Sequence, residues 1–417
     1  MKIGLPIKDK ENRIFNLRRD SLIGKGSYGQ VHKSTLNNVA IAVKTFSNIN
    51  GWEKIPLREF TAYCSIPDHP NILKCFFARF ESNNLQIITP LLKYTMLTHL
   101  QVGNIKSQDI LTWTYQLIDA ISHMHKYGYA HRDIKLENIL LDDENNLVVC
   151  DLGMCKQLSI THCDNKNLSS HVCTLWTKAP ELLKNSKNYG LEIDAWSIGC
   201  VLWALAAGRY VLRNTDDHSI TFMINKLLDC EKDQRIKQIE KVCKRNDLPA
   251  SFYELVSNLL ELNASDRISL ENALTYCKQW DTKVLKLNDI EFKGDFIFPI
   301  KEHTWNKKII VNEYSTWIQS TLKNLKLNDQ TILHSLICFS RINKDCLAYA
   351  ASCCSLITKL IDNLEINQIT WAKLAKCKVK QFIETEKKIV ALLGGNLLVH
   401  FNTTKTAIEL LKELCPF

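Results

Sequence analysis

Eight residues, His131-Arg132-Asp133-Ile134-Lys135-Leu136-Glu137-Asn138, set a proton acceptor, a cation and an oxygen donor on one short stretch of chain. Those residue types suit the transfer of a phosphoryl group to a hydroxyl. The reaction needs little covalent help; it needs an aligned hydroxyl, phosphate charge neutralised by Mg²⁺ and cations, and the exclusion of water. Asp133 can accept or orient the hydroxyl proton, and Lys135 can face the moving phosphate. Asn138 offers the hard side-chain oxygen that Mg²⁺ prefers.

Other segments must position these groups, and they follow in a consistent order. Gly24-Lys25-Gly26-Ser27-Tyr28-Gly29-Gln30-Val31 fits G-x-G-x-x-G-x-V, where missing side chains let backbone N–H groups approach phosphates. The same glycine pattern opens a helix in dinucleotide-binding folds. Here Val31 and the run Val39-Ala40-Ile41-Ala42-Val43 read as strands instead, and Lys44 closes the second strand. A helix from about Pro56, a residue suited to a first helical position, carries Glu59, the candidate ion-pair partner of Lys44, with Glu53 as the alternative. Downstream, Asp151-Leu152-Gly153 follows the apolar run Leu147-Val148-Val149-Cys150 and adds a second carboxylate for Mg²⁺. Ala179-Pro180-Glu181 comes next, with Glu181 expected to pair with Arg267. Then Asp194-Ala195-Trp196-Ser197-Ile198-Gly199-Cys200 starts an apolar helix, too short at about a dozen apolar residues to span a bilayer, which takes about 20.

Taken together, residues 16–285 resemble a eukaryotic-type Ser/Thr protein kinase, and the lettering is most similar to the cyclin-dependent kinase branch. Ile55-Pro56-Leu57-Arg58-Glu59 resembles the cyclin-contacting helix of that branch, and Val172-Cys173-Thr174-Leu175-Trp176 its substrate-binding segment. The resemblance implies an α+β, bilobal fold: a small β-rich lobe at about 16–92 after an N-terminal segment 1–15, and a large helical lobe at about 93–285. It implies ATP bound by Ile23, Gly24, Gly26, Gly29, Val31, Ala42 and Lys44, and Mg²⁺ bound by Asn138 and Asp151. Asp133, Lys135, Lys44, Glu59 and Thr174 are its implied catalytic set, with the Thr174 hydroxyl bridging Asp133 and Lys135. Protein serine and threonine residues are the implied substrates, those followed by proline in particular. Two departures bear on that last point: Thr177-Lys178 replaces Tyr-Arg, so that the bidentate fork of arginine is lost, and Cys173 replaces the second valine of the substrate-binding segment. Leu152 replaces the phenylalanine of D-F-G, at a position that needs only an apolar side chain.

In the same family a phosphorylated residue between Asp151 and Glu181 is gripped by three cations, which fall here on Arg58, Arg132 and Lys156. Ser169 is the best-aligned acceptor, ahead of Ser170 and Thr161. A phosphate opposite such a cluster orders the segment through charge-assisted hydrogen bonds.

A chain of 417 residues exceeds one such domain by roughly a hundred, which suggests a second unit. Residues 286–310 read as a linker. From 311 to 417 the pattern turns helical: Glu313 to Leu325, Asp329 to Arg341, Cys346 to Ile361, Val379 to Leu393 and about Thr404 to Leu414. The Ala, Ser and Cys of the third segment place small or apolar residues on nearly every face, as in the middle helix of a bundle. The five segments resemble one cyclin box. That resemblance implies an intramolecular activator packed on the Glu59 helix, with Lys359 and Glu386 at the cyclin-like interface. The alternative is a catalytically weak scaffold that uses both surfaces for docking.

Sixteen cysteines stand without a C-x-x-C pair or zinc-like spacing, as expected of free thiols in a reducing compartment. The first residues lack the apolar run of a signal peptide, so an intracellular protein of cytoplasm or nucleus is expected. The formal charge is +9, but the lysines are scattered and form no basic run, so no specific nucleic-acid or membrane partner is expected.

Overall fold

The computed structural model describes residues 18–25, 29–36, 39–47, 54–81, 84–103, 105–158, 173–214, 216–244, 247–280, 282, 313–325, 327, 329–342, 346–361 and 366–392. The expected linker, 286–310, lies outside them. In chain order the first part holds strands β1 (Arg18–Lys25), β2 (Gln30–Leu36) and β3 (Val39–Phe46), helix α1 (Lys54–Ser65), and strands β4 (Phe77–Glu81) and β5 (Asn84–Pro90). They form one antiparallel sheet in the order β1-β2-β3-β5-β4. β3 shows why: Ile41 and Val43 turn one way and are buried, while Ala42, Lys44 and Phe46 share the opposite face.

Helix α1 begins at Lys54, two residues ahead of the expected start. Pro56 therefore sits inside the first turn, whose N–H groups have no intrahelical acceptor, so its missing donor costs nothing.

The second part holds strand β6 (Tyr94–Thr95), helices α2 (Met96–Val102) and α3 (Ser107–Lys126), strands β7 (Tyr129–Ala130), β8 (Ile139–Leu141), β9 (Leu147–Val149) and β10 (Lys156–Gln157), and helices α4 (Pro180–Leu183), α5 (Glu192–Ala207), α6 (Asp217–Leu228), α7 (Lys232–Val242), α8 (Ala250–Leu259) and α9 (Leu270–Cys277). As the apolar run requires, α5 is the core helix, buried from Ile193 to Ala207. It packs against α8 and α3. Gly199 permits that approach, since a Cβ there would lie 2.9 Å from the Leu260 side chain.

The C-terminal part is wholly helical: α10 (Glu313–Asn324), α11 (Asp329–Ile342), α12 (Leu347–Ile361), α13 (Gln368–Leu374) and α14 (Val379–Leu392). Its third helix is central, as its composition demands; α12 touches α10, α11, α13 and α14. Small Ala350, Ala351, Ser352, Cys353 and Cys354 allow the close approach, and Leu356, Ile357 and Leu360 anchor it. Each of those three contributes roughly 1.5–3 kcal/mol by burial.

The sequence reading of this part needs one correction. α13 was not expected, because seven residues with a single large anchor, Trp371, show too little periodicity. Its signal was the N-cap Asn367, whose side chain accepts from the Thr370 N–H at 2.8 Å. The helix expected at Thr404 to Leu414 lies outside the described residues.

These parts make two compact units. One holds the five-stranded sheet, α1 and α10 to α14; the other holds α2 to α9 with their short strands and the loop Asp68–Leu73. Within the first unit, α12 also packs on α1. No helix among the described residues is long and apolar enough to cross a membrane, and the described cysteines are all free.

Candidate active site

The first unit carries the groups suited to a nucleotide. Gly24, Val31 and Lys44 stand directly opposite one another across β1, β2 and β3, on one face of the sheet. Ile23 falls at a register shift of β1 and is half exposed, an apolar side chain beside the glycine turn. Ala42 lies two residues from Lys44 on the same face. Gly29 has to be glycine: a Cβ would sit 2.7 Å from the Thr45 carbonyl oxygen. Gly29 thus lies flush on β3, an approach open only to a residue without a side chain. Gly26 lies outside the described residues.

The Lys44 Nζ donates to Glu59 Oε2 at 2.7 Å, and the carboxylate is almost fully buried. Glu59 is therefore the partner that α1 presents; Glu53 lies outside the described residues. Arg58, its neighbour in the helix, is buried.

The second unit carries the groups suited to transfer. Lys135 Nζ lies 2.8 Å from Asp133 Oδ2 and 2.9 Å from Thr174 Oγ1, and the Thr174 hydroxyl donates to Asp133 Oδ1 at 2.8 Å. The three side chains close a triangle that fixes one carboxylate by both oxygens. Asn138 spends its amide nitrogen on Asp133, at 2.9 Å to the carbonyl and 3.0 Å to Oδ2. Its oxygen is thereby the atom turned outward, the hard donor that Mg²⁺ takes. Cys150, just before Asp151, is tied to this loop by its N–H to the Asn138 carbonyl at 2.9 Å. Asp151 itself adopts a left-handed backbone at φ 61°, and the following Leu152 is fully buried, as an apolar residue there should be.

The loop is held from beneath by a residue whose role the sequence did not disclose. Asp194, in the first turn of α5 and fully buried, accepts from the backbone N–H groups of His131 at 2.8 Å and Arg132 at 2.9 Å, and from the His125 ring at 2.9 Å. Burial pushes its carboxyl up. The His125 hydrogen bond and charge and the Arg132 N–H outweigh this, and its pKa falls below the usual carboxylate value. Such bonds stabilise Arg132 in a left-handed conformation, φ 65°, that L-residues seldom adopt. The signal was present: an acid inside an otherwise apolar, buried helix demands partners. The His131 ring adds a second tie. Its Nδ1 accepts from the Asp133 N–H at 3.3 Å, so Nε2 carries the proton and donates to the Cys150 carbonyl at 3.1 Å.

Tyr210 is a further support that no motif announces. Its hydroxyl donates to Glu137 at 2.7 Å and accepts from the Leu136 N–H at 2.8 Å. Burial raises its pKa, and the Glu137 hydrogen bond and charge raise it further, so the group stays a donor. The nearest thiol, Cys173, is pushed far up by burial and by the charges of Asp194 and Asp133. It is no nucleophile, since only the thiolate attacks.

Glu181 receives Arg267 in a two-pronged ion pair at 2.9 and 3.2 Å, and the guanidinium also bonds the Glu192 and Glu261 carbonyls. Of the three cations expected to grip a phosphate, Arg132 is buried with its guanidinium on the Met154 carbonyl at 2.8 Å and the Tyr189 hydroxyl at 3.2 Å. Lys156 is buried in β10, opposite Ala130. Arg58 belongs to the other unit. Ser169, Ser170 and Thr161 lie outside the described residues. In the C-terminal helices Lys359 and Glu386 meet each other, at 2.6 Å. Gln368 of α13 donates to the second Glu386 oxygen at 3.4 Å, so this buried carboxylate ties three helices.

Comparison with known proteins agrees with this chemistry. The family described as protein kinase domain matches residues 17–278. A probable cell division protein kinase of Encephalitozoon cuniculi is 32% identical over 217 residues, 51% of this chain and 68% of that protein. A probable cyclin-dependent serine/threonine-protein kinase of Dictyostelium discoideum is 29% identical over 275 residues, 61% of this chain and 43% of that protein. Cyclin-dependent kinase 2 of Caenorhabditis elegans is 28% identical over 233 residues, 54% of this chain and 61% of that protein. The chain thus spans less than two thirds of the latter two.

Proposed function

The chain belongs to the protein kinase family, and from that premise we propose that it transfers the γ-phosphate of ATP to serine and threonine hydroxyls of proteins, in the manner of a cyclin-dependent kinase. The triangle of Asp133, Lys135 and Thr174 is the observation that carries this reading. It holds a carboxylate ready to take a hydroxyl proton and sets a cation beside the position of the incoming phosphate.

The residues present fit ATP and Mg²⁺. Gly29 lies flush on β3, where any Cβ would meet the Thr45 carbonyl oxygen, so its backbone is left bare for a phosphate, and Asn138 and Asp151 supply the oxygen donors a magnesium ion needs. Bound Mg²⁺ would neutralise phosphate charge. Lys44, held by Glu59, would contact the α- and β-phosphates, and Ile23, Val31 and Ala42 would offer the base an apolar face. Asp133 would orient the hydroxyl and receive its proton.

Preference for proline after the target residue is supported by Cys173, whose φ of 67° is left-handed. Such a residue turns the neighbouring peptide out of register with an extended substrate. A substrate residue without an N–H, which is proline alone, loses least there. Lys178 lies 3.3 Å from Asp217 across this segment and holds α6 to it in place of the arginine fork.

The C-terminal helices act as a fused cyclin-like activator in this proposal. Their central helix α12 packs on α1, the helix that carries Glu59. Covalent attachment keeps the activator near millimolar effective concentration, so modest packing suffices.

The test is phosphate transfer by the full chain, with MgATP, to a Ser-Pro peptide and its Ser-Ala counterpart. Transfer to serine, faster for Ser-Pro, and its loss by about 100-fold or more in Asp133→Asn are expected. Equal labelling by both proteins would refute the assignment.

A further inference from the structure

We propose that Phe46 is a positioning residue for the nucleotide, holding Lys44 and Gly29 in place through the face and edge of one ring. The inference rests on the kinase reading above and goes beyond it in assigning this site a residue that carries no charge or polar atom.

Three observations converge on the ring. Phe46 ends β3 two residues after Lys44, so both side chains leave the same face of the strand. The Lys44 ammonium lies 5.3 Å from the ring centroid, within the distance at which an aromatic face attracts a cation. The ring edge also backs Gly29: a Cβ built there would lie 3.6 Å from Phe46 Cδ1. The ring is almost wholly buried, which weakens competition from water for the cation.

Glu59 Oε2 accepts from the Lys44 ammonium at 2.7 Å, a contact at the end of the side chain. The ring adds a restraint of another kind, an attraction between its face and the ammonium. An aliphatic residue would fill the same volume without drawing the cation.

Phe46→Leu, Phe46→Tyr and a trifluorinated phenylalanine at position 46, which keeps the ring's shape and drains its face of negative charge, test this in the full chain. Equilibrium binding of a fluorescent magnesium–ADP analogue is the primary readout, with KM for ATP, kcat and a thermal melt beside it. Leucine and the fluorinated ring should weaken nucleotide affinity by about 5- to 20-fold and raise KM by a similar factor. The tyrosine variant should stay near wild type, and kcat at saturating ATP should move less than twofold throughout. Unchanged affinity with the fluorinated ring, or losses that follow the melting temperature alone, would overturn the role of Phe46 while leaving the kinase intact. Failure of the wild type to bind the nucleotide would instead overturn the kinase reading and this inference together.

Discussion

Replacing Lys359 by methionine keeps the length of the side chain and removes its charge, which strands the Glu386 carboxylate in a fully buried position. Breaking a buried pair from one side costs about 3–5 kcal/mol. Lys359 is 16% exposed, so the lower end, about 3 kcal/mol, is the better figure. Gln368 is too distant, at 3.4 Å, to compensate a full charge. The loss falls where α12, α13 and α14 meet, and α12 is the helix that lies on α1. If half of it reaches the Lys44–Glu59 pair, the rate falls about tenfold. Thermal melts and kcat/KM of wild type, Lys359→Met, Glu386→Leu and the double variant complete the cycle. The double variant should recover most of the stability and activity, because no charge is left without a partner. Wild-type activity in a Lys359→Met protein with a lowered melting temperature would refute the claim that the C-terminal helices position α1. A double variant no better than the single ones would refute the pairing itself.

Two further predictions follow from single residues. His334 is buried in α11, and burial first, then the Arg341 charge, push its pKa down to about 4. The unfolded chain takes up a proton below about 6.5 while the folded one stays neutral, so stability should fall with pH through that window, by about 2 kcal/mol at pH 5; His334→Leu should flatten this part of the melting curve, and an unchanged slope would exclude the residue. Gly29→Ala should weaken nucleotide binding at least tenfold, because its Cβ meets backbone rather than a side chain that can turn away; binding equal to wild type would show that the turn does not hold phosphate.

Much of the site could be read from letters because the chemistry forces its residue types into short runs. Asp133, Lys135 and Asn138 must share one loop, and the glycines must share one turn. The bridging role of Thr174 was foreseen from the resemblance of Val172-Cys173-Thr174-Leu175-Trp176 to the family's substrate-binding segment. The supports were not legible, for they come from far along the chain. Asp194 reaches His131 and Arg132 from α5, and Tyr210 reaches Glu137 from the segment after α5. Nothing near the loop marks them. In the C-terminal part the long helices declared themselves by composition, whereas α13 rests on one tryptophan and a cap. Above all, no local pattern says that α12 packs on α1.

That contact has a consequence for biosynthesis. A ribosome makes α1 early and α12 only after the whole of the second unit has emerged, so the outer face of the Glu59 helix has no mate while most of the chain is being translated. Contacts between such distant segments form late, since closing so long a loop is entropically costly. A nascent or prematurely terminated chain would therefore carry the phosphate-transfer loop and the Lys44–Glu59 pair before α1 gains its neighbour α12.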